Sequence, residues 1–196
     1  MNKGSKTKTK IQQITKELIL TKGYPFVTMT DVSLAVPLSI GGLYYHYGSI
    51  EEILMDLIHS ETGNVWMLFE GKDTFDSLIS ALEQYFELEK RDLLNFDHTL
   101  NTILYQYYFS FPQDKRKAIL EISYTQVMEK MQRVLISFFK DEEPVKTITN
   151  HLYVVLQGLN MLAMTGRITP EIIDWEFEQT VQMIKDYYMQ QKGTGL

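Results

Sequence analysis

The chain has 196 residues, 44% hydrophobic and 22% charged, and 19 Lys and Arg against 25 Asp and Glu leave a net charge of -6. That balance excludes an intrinsically disordered chain and allows either one large domain or a small domain joined to a larger one. The lack of Cys excludes a disulfide scaffold and a thiolate metal site. No apolar run has the length of a membrane span or of a signal-peptide core, so a cytoplasmic protein without membrane contact is expected.

The charge is unevenly spread. Residues 1–23 carry Lys3, Lys6, Lys8, Lys10, Lys16 and Lys22 against Glu17, a local balance of +5. From Tyr24 to Glu70 there is no Lys or Arg, and Asp31, Glu51, Glu52, Asp56, Glu61 and Glu70 make that segment -6. The amino terminus reads as a basic arm ahead of the first helix. On composition such an arm is a solvated tail, and it gains meaning only from the helices next to it.

Helical periodicity runs through the whole chain, with no alternating strand and no internal repeat, and predicts an all-α protein of about nine helices. Ile11, Ile14 and Leu18 mark a first helix that stops at Gly23 and Pro25. Thr28 opens a short second helix with Val32 and Ala35 facing inward, ended by Pro37. Ser39 caps a third through Leu43 to Tyr47. Ser49 and Glu52 form a capping box for a fourth helix carrying Ile53, Leu54, Leu57 and Ile58. A domain boundary is expected there, dividing residues 1–50 from 51–196.

The helices beyond this boundary are longer. Asp73 or Thr74 caps one with Leu78, Ile79, Leu82, Tyr85 and Phe86 inward, and Asn95 is the predicted cap of the next. Pro112 separates that helix from a seventh, Leu120 to Phe138. Pro144 is expected at a first helical position, as is Pro170 after the Thr169 cap. The last two helices are apolar nearly all round. Either they are fully buried in a monomer, or one side is left for a second subunit. Val155, Gly158, Leu159, Leu162, Trp175, Met183 and Tyr187 are the residues expected to form a homodimer bundle, with Gly158 allowing close approach.

Helices two and three make a helix-turn-helix, in which the second helix fits the DNA major groove while flanking residues hold phosphates. Ile40, Gly41, Gly42, Tyr44, Tyr45 and His46 lie on that helix. Alone, such a corner is weak evidence, since many helical proteins contain one. Residues 11–54 also show a more specific order: Ile11, Gly23 twelve residues later, Thr28 with Thr30, Ser39-Ile40-Gly41, Leu43-Tyr44-Tyr45-His46-Tyr47 and Glu51-Glu52-Ile53-Leu54. This order resembles the amino-terminal domain of the TetR family of one-component transcriptional regulators.

The resemblance implies a regulator, most often a repressor, that binds a palindromic double-stranded operator as a homodimer and is modulated by a small molecule. It implies phosphate contacts from Thr28 and Tyr44, and groove contacts from Ile40, Gly41, Gly42, Tyr45 and His46, with Thr30 and Ser39 beside them. Pro37 stands where the family usually has Gly, Ile40 where a polar or basic residue is frequent, and Ile50 where a Lys is common. Phosphate neutralisation therefore falls to Lys6, Lys8, Lys10 and Lys16.

A small molecule is implied inside the carboxy-terminal half. Candidate lining residues are Trp66, Phe69, Phe86, Tyr105, Tyr108, Tyr124 and Met128, with His98, Asn101 and Asn160 as polar anchors. The aromatic density around Tyr105 suits a bulky apolar or aromatic effector, although such stripes are more often simply core. His46, His59, His98 and His151 lack metal-ligand spacing, and no nucleophile or phosphate-loop motif occurs. No catalysis, metal or cofactor is expected. The alternative is a ligand- or protein-binding module of the same fold that no longer uses DNA.

Overall fold

The computed structural model describes residues 3–193; residues 1–2 and 194–196, at the outer ends of the two expected domains, lie outside the described residues. Among the described residues there are nine α-helices and no strand. They are α1 (Lys3–Lys22), α2 (Met29–Ala35), α3 (Ile40–His46), α4 (Ile50–Trp66), α5 (Phe75–Leu94), α6 (Leu100–Phe109), α7 (Gln113–Leu135), α8 (Glu142–Met164) and α9 (Pro170–Gly193). The chain divides into two compact units. The first runs to Trp66 and takes in Asp97–Pro112, and the second comprises Met67–Phe96 and the chain from Gln113 onward. Thus α4 and α6 pack with the first three helices, past the boundary expected between residues 50 and 51.

In the first unit, Ile11 and Ile19 of α1, Val32 of α2, Leu43 of α3, Ile53 and Leu54 of α4 and Ile103 of α6 are fully buried. Each short helix is held by its cap. The Thr28 hydroxyl accepts from the Asp31 N–H (3.2 Å) while Asp31 accepts from the Thr28 N–H (2.9 Å), a reciprocal box that satisfies two orphan donors. Ser39 Oγ accepts from the Gly42 N–H at 3.1 Å. At α4, Ser49 Oγ accepts from the Glu52 N–H (3.1 Å), but Glu52 reaches back to the N–H of Gly48 (2.6 Å), one residue earlier than the predicted box.

Other expectations differ from the structure. Ala35 is exposed, and Val36, four residues after Val32 and just beyond the helix end, is the buried residue. Asn95 terminates α5, its side-chain amide donating to the Arg91 carbonyl (2.8 Å); a short turn then leads to Thr99, which starts α6. The basic arm is not ahead of α1 but is its first turns, and Thr9 Oγ1 bonds back to the Ser5 carbonyl at 3.1 Å.

The second unit packs α8 against α7 and α9, and α5 against α8 and α9. Ile148, Leu152 and Leu159 of α8, Ile173, Phe177 and Ile184 of α9, and Leu78, Leu82 and Phe86 of α5 form its core. Phe86 stacks on Phe177 with ring centroids 4.2 Å apart, and Phe75 stacks on Tyr188 at 3.5 Å. Pro170 occupies the predicted first position of α9, with Thr169 Oγ1 accepting from the Ile172 N–H at 3.4 Å. Pro144, in contrast, is the third helical residue of α8. Glu142 and Glu143 precede it, where acids favour the positive end of the helix dipole.

Glu89 of α5 lies one turn beyond Tyr85, whose hydroxyl donates to it. Burial pushes the Glu89 carboxyl up to about 7, against the Tyr85 hydrogen bond and with Asp92 adding like charge. A carboxyl whose pKa is higher folded than unfolded favours folding below its unfolded value of 4.5, and that contribution is lost as pH rises through about 7. Glu89→Gln, which keeps an acceptor for Tyr85, is therefore expected to raise the thermal midpoint by a margin that widens between pH 5 and pH 8. Melting curves across that range check it, and a margin independent of pH would refute the assignment.

Candidate nucleic-acid interface

Helices α2 and α3 meet at a turn formed by Val36 to Ser39, in which the Leu38 N–H donates to the Val36 carbonyl at 2.6 Å. Pro37 is exposed in that turn. Leu43 faces inward from α3 and leaves the other side to solvent. Ile40 is 44% exposed, Tyr44 55% and Tyr45 86%. Gly41 is exposed and Gly42 half-buried, while His46 is half-buried with its ring edge-on to Tyr45 at 5.2 Å.

The two glycines differ. A Cβ on Gly42 would lie 3.2 Å from Ser39 Oγ, a tight approach that would press on the cap. A Cβ on Gly41 would meet nothing within 4 Å. Glycine inside a helix costs about 1 kcal/mol relative to alanine, and nothing within the chain accounts for that cost at Gly41.

The carboxyl end of α3 is fixed by Tyr47, whose ring is 1% exposed. Its hydroxyl donates to Asp56 Oδ2 of α4 (2.6 Å) and accepts from Gln12 Nε2 of α1 (3.2 Å). Lys8 Nζ lies 4.6 Å from the centroid of the same ring and 3.5 Å from Asp56. Burial pushes the Tyr47 hydroxyl pKa well up, and Asp56 pushes it further. The Tyr47 hydrogen bond in turn holds Asp56 below the usual carboxylate range. Gln12 and Asp56, absent from the predicted site residues, are polar residues beside the buried Ile11 of α1 and the buried Ile53, Leu54 and Leu57 of α4. That placement is the sequence signal for the network.

The acids of this unit are largely occupied within it. Asp31 pairs with Lys22 at 2.6 Å and with the Thr28 hydroxyl at 2.7 Å, which together hold its carboxyl far below its usual range. Glu61 pairs with Lys16 at 2.7 Å. Glu51 accepts from the Tyr107 hydroxyl of α6 at 2.6 Å, and Gln106 beside it accepts from the Tyr24 N–H at 2.8 Å. The Tyr24 and Tyr107 rings meet edge to face at 5.2 Å; burial, with Glu51 adding, raises the Tyr24 pKa to about 12.

Two consequences bear on the predicted phosphate residues. Lys8 and Lys16 are tied to α4, whereas Lys6 and Lys10, four residues apart on one face of α1, remain exposed. The hydroxyl and N–H of Thr28 are both taken by Asp31, while Thr30 and Ser39 are exposed. Phe26 and Leu34, not predicted as site residues, are 73% and 81% exposed on the same unit.

The ten predicted ligand-lining residues divide between the units. Trp66, His98, Asn101, Tyr105 and Tyr108 belong to the first, and Phe69, Phe86, Tyr124, Met128 and Asn160 to the second. Phe86 and Met128 are core, and His98 is exposed. Tyr124 packs edge-on to Tyr153 at 4.8 Å. Asn160 is 6% exposed; its amide donates to the Leu156 carbonyl at 2.7 Å, while its own carbonyl oxygen has no partner. A groove of about 360 Å³ between α5 and α9 is floored by Phe86 and Phe177 and crossed by a Lys90–Asp174 ion pair. Of the ten residues, Phe86 alone lines it.

Of the residues expected at a dimer face, Gly158 and Trp175 are exposed and Leu159 is buried. Leu159 is 2% exposed and faces the core of its own unit. The outward stripe of α8 is Val154 (67% exposed), Gly158 and Met161 (54% exposed), at i, i+4 and i+7. Val155, Leu162, Met183 and Tyr187 are half-buried, and Trp175 is 58% exposed on α9. Among the described residues no group of His, Asp and Glu could hold a metal ion, and no helix is long and apolar enough to cross a membrane.

No protein-family profile matches the chain. An uncharacterised HTH-type transcriptional regulator of Bacillus subtilis, YfiR, is 22% identical over 160 residues, covering 79% of this chain and 78% of that protein. NalD, the secondary repressor of the MexAB-OprM multidrug efflux pump in Pseudomonas aeruginosa, is structurally similar with a TM-score of 0.64 at 16% identity, covering 94% of this chain and 97% of its own. SmeT in complex with triclosan gives a TM-score of 0.66 at 13% identity, covering 90% of each chain. YfiR is described as a transcriptional regulator and NalD as a repressor. With its nine helices and capped helix-turn-helix, the chain has the all-α fold of the TetR-type transcriptional regulators.

Proposed function

We propose that the chain is a transcriptional repressor that binds a palindromic duplex operator as a homodimer and is released by a small apolar or aromatic effector. The observation that carries this reading is Gly41, an exposed helical glycine with open space around it on a helix that turns Ile40, Tyr44 and Tyr45 outward. A surface that tolerates a helix-weakening glycine suits a body approaching the backbone closely, as a duplex does. Lys6, Lys10 and Tyr44 serve the phosphates, and Ile40, Gly41, Gly42, Tyr45 and His46 face the groove. Residues 1–50 contain the whole reading surface.

The effector acts from the second unit, with Asn160 as its polar anchor: its unpartnered buried carbonyl oxygen is an acceptor that a bound molecule satisfies. NalD is described as a repressor, and SmeT is seen with triclosan, which supports both halves of the reading. Dimerisation uses the outward stripes of α8 and α9, including Val154, Gly158, Met161 and Trp175.

A second reading, a binding module that no longer uses DNA, is favoured by the lack of Lys and Arg from Tyr24 to Glu70. Selection of duplex fragments from the source genome by the purified protein separates the two, because the module enriches none. Gly41→Ala distinguishes them further. It is expected to stabilise the fold by about 0.5–1 kcal/mol and at the same time to weaken duplex binding; melting curves and anisotropy titrations read the two effects. A variant that binds as tightly as the parent removes Gly41 from the interface. Met161→Glu is expected to shift the protein from dimer to monomer in sedimentation, and an unchanged dimer would move the interface off this stripe.

A further inference from the structure

We propose that the recognition helix reads its operator through thymine 5-methyl groups, with Ile40 and Tyr45 as the residues that set specificity; this rests on the duplex-binding reading above. A helix in the major groove distinguishes guanine through bidentate Arg or Lys and adenine through bidentate Asn or Gln. None of these occurs between Thr28 and Tyr47. The outward face of α3 instead offers an aliphatic side chain and two phenols, Ile40, Tyr44 and Tyr45, at 44%, 55% and 86% exposure.

The base-pair feature that such a surface recognises is the apolar methyl of thymine. Gly41 next to Ile40 presents no side chain, so the helix can come close enough for van der Waals contact. The Ser39 cap and the buried Tyr47 fix both ends of this short helix. Ile40 and Tyr45 are thereby held at defined positions, which contact of this kind needs, since it has no long-range component.

The test uses the full-length protein and the duplex it selects from a randomised pool. Half-sites are expected to carry thymine at one or two invariant positions. Replacing each of those thymines by deoxyuridine, which removes only the methyl, is expected to weaken binding about fourfold per contact, the effect of exposing one buried methyl-sized group. Ile40→Ala or Tyr45→Ala should abolish the loss at one position and leave it at the other. Selected sites fixed by guanine, or a duplex bound equally with thymine and deoxyuridine, overturn this inference alone. A protein that selects no duplex overturns the proposed function together with it.

Discussion

The hydroxyl of Tyr47 bonds to two other helices at once, and the placement of α3 depends on it. The residue ends α3, donates to Asp56 on α4 and accepts from Gln12 on α1, with its ring buried under Lys8. A buried hydroxyl left without partners costs about 1–3 kcal/mol, so the arrangement is stable only when all three helices are in register. Removal from water, reinforced by Asp56, raises the pKa of the phenol and keeps it a neutral donor. α3 is too short to be stable alone. It keeps one orientation because the Ser39 cap holds its first turn and Tyr47 its last.

The same network resolves an apparent conflict in the charge distribution. The stretch from Tyr24 to Glu70, with six acids and no basic residue, looks unsuited to a polyanion. Yet Asp31, Asp56 and Glu61 each pair with a lysine of α1, Glu52 caps α4, and Glu51 binds Tyr107 of α6. These acids hold helices together. Lys8, Lys16 and Lys22 are engaged with these acids, and Lys6 and Lys10 stand exposed beside them. The first unit thus combines a short helix without Lys, Arg, Asp or Glu, α3, with cations on α1.

Much of this is legible in the sequence, and the rest is hidden for definite physical causes. Thr28, Ser39, Thr74 and Thr169 announce their helices because capping needs a hydroxyl at one position and a break in periodicity before it. The Lys-rich segment before Ile11 is ambiguous, since lysine suits a helix as well as a solvated tail; its contacts with Asp56 and Tyr47 depend on tertiary structure. The inward placement of Leu159 on α8 is hidden because a helix apolar all round carries no periodic signal of which side is inward. The predicted ligand-lining residues suffer from the same loss of contrast: Phe86 and Met128 are core, and aromatic content alone does not separate core from cavity.

The proposed duplex binding turns on where the phosphate-neutralising charge resides, and its salt dependence measures that directly. Changing Lys6 and Lys10 to Gln removes two cations from each protomer. The slope of log K against log salt concentration should then shrink by about 3.6 for a dimer, with the recognition helix unchanged. A slope that stays the same in the double variant would place the phosphate contacts elsewhere and refute the assignment of these two lysines.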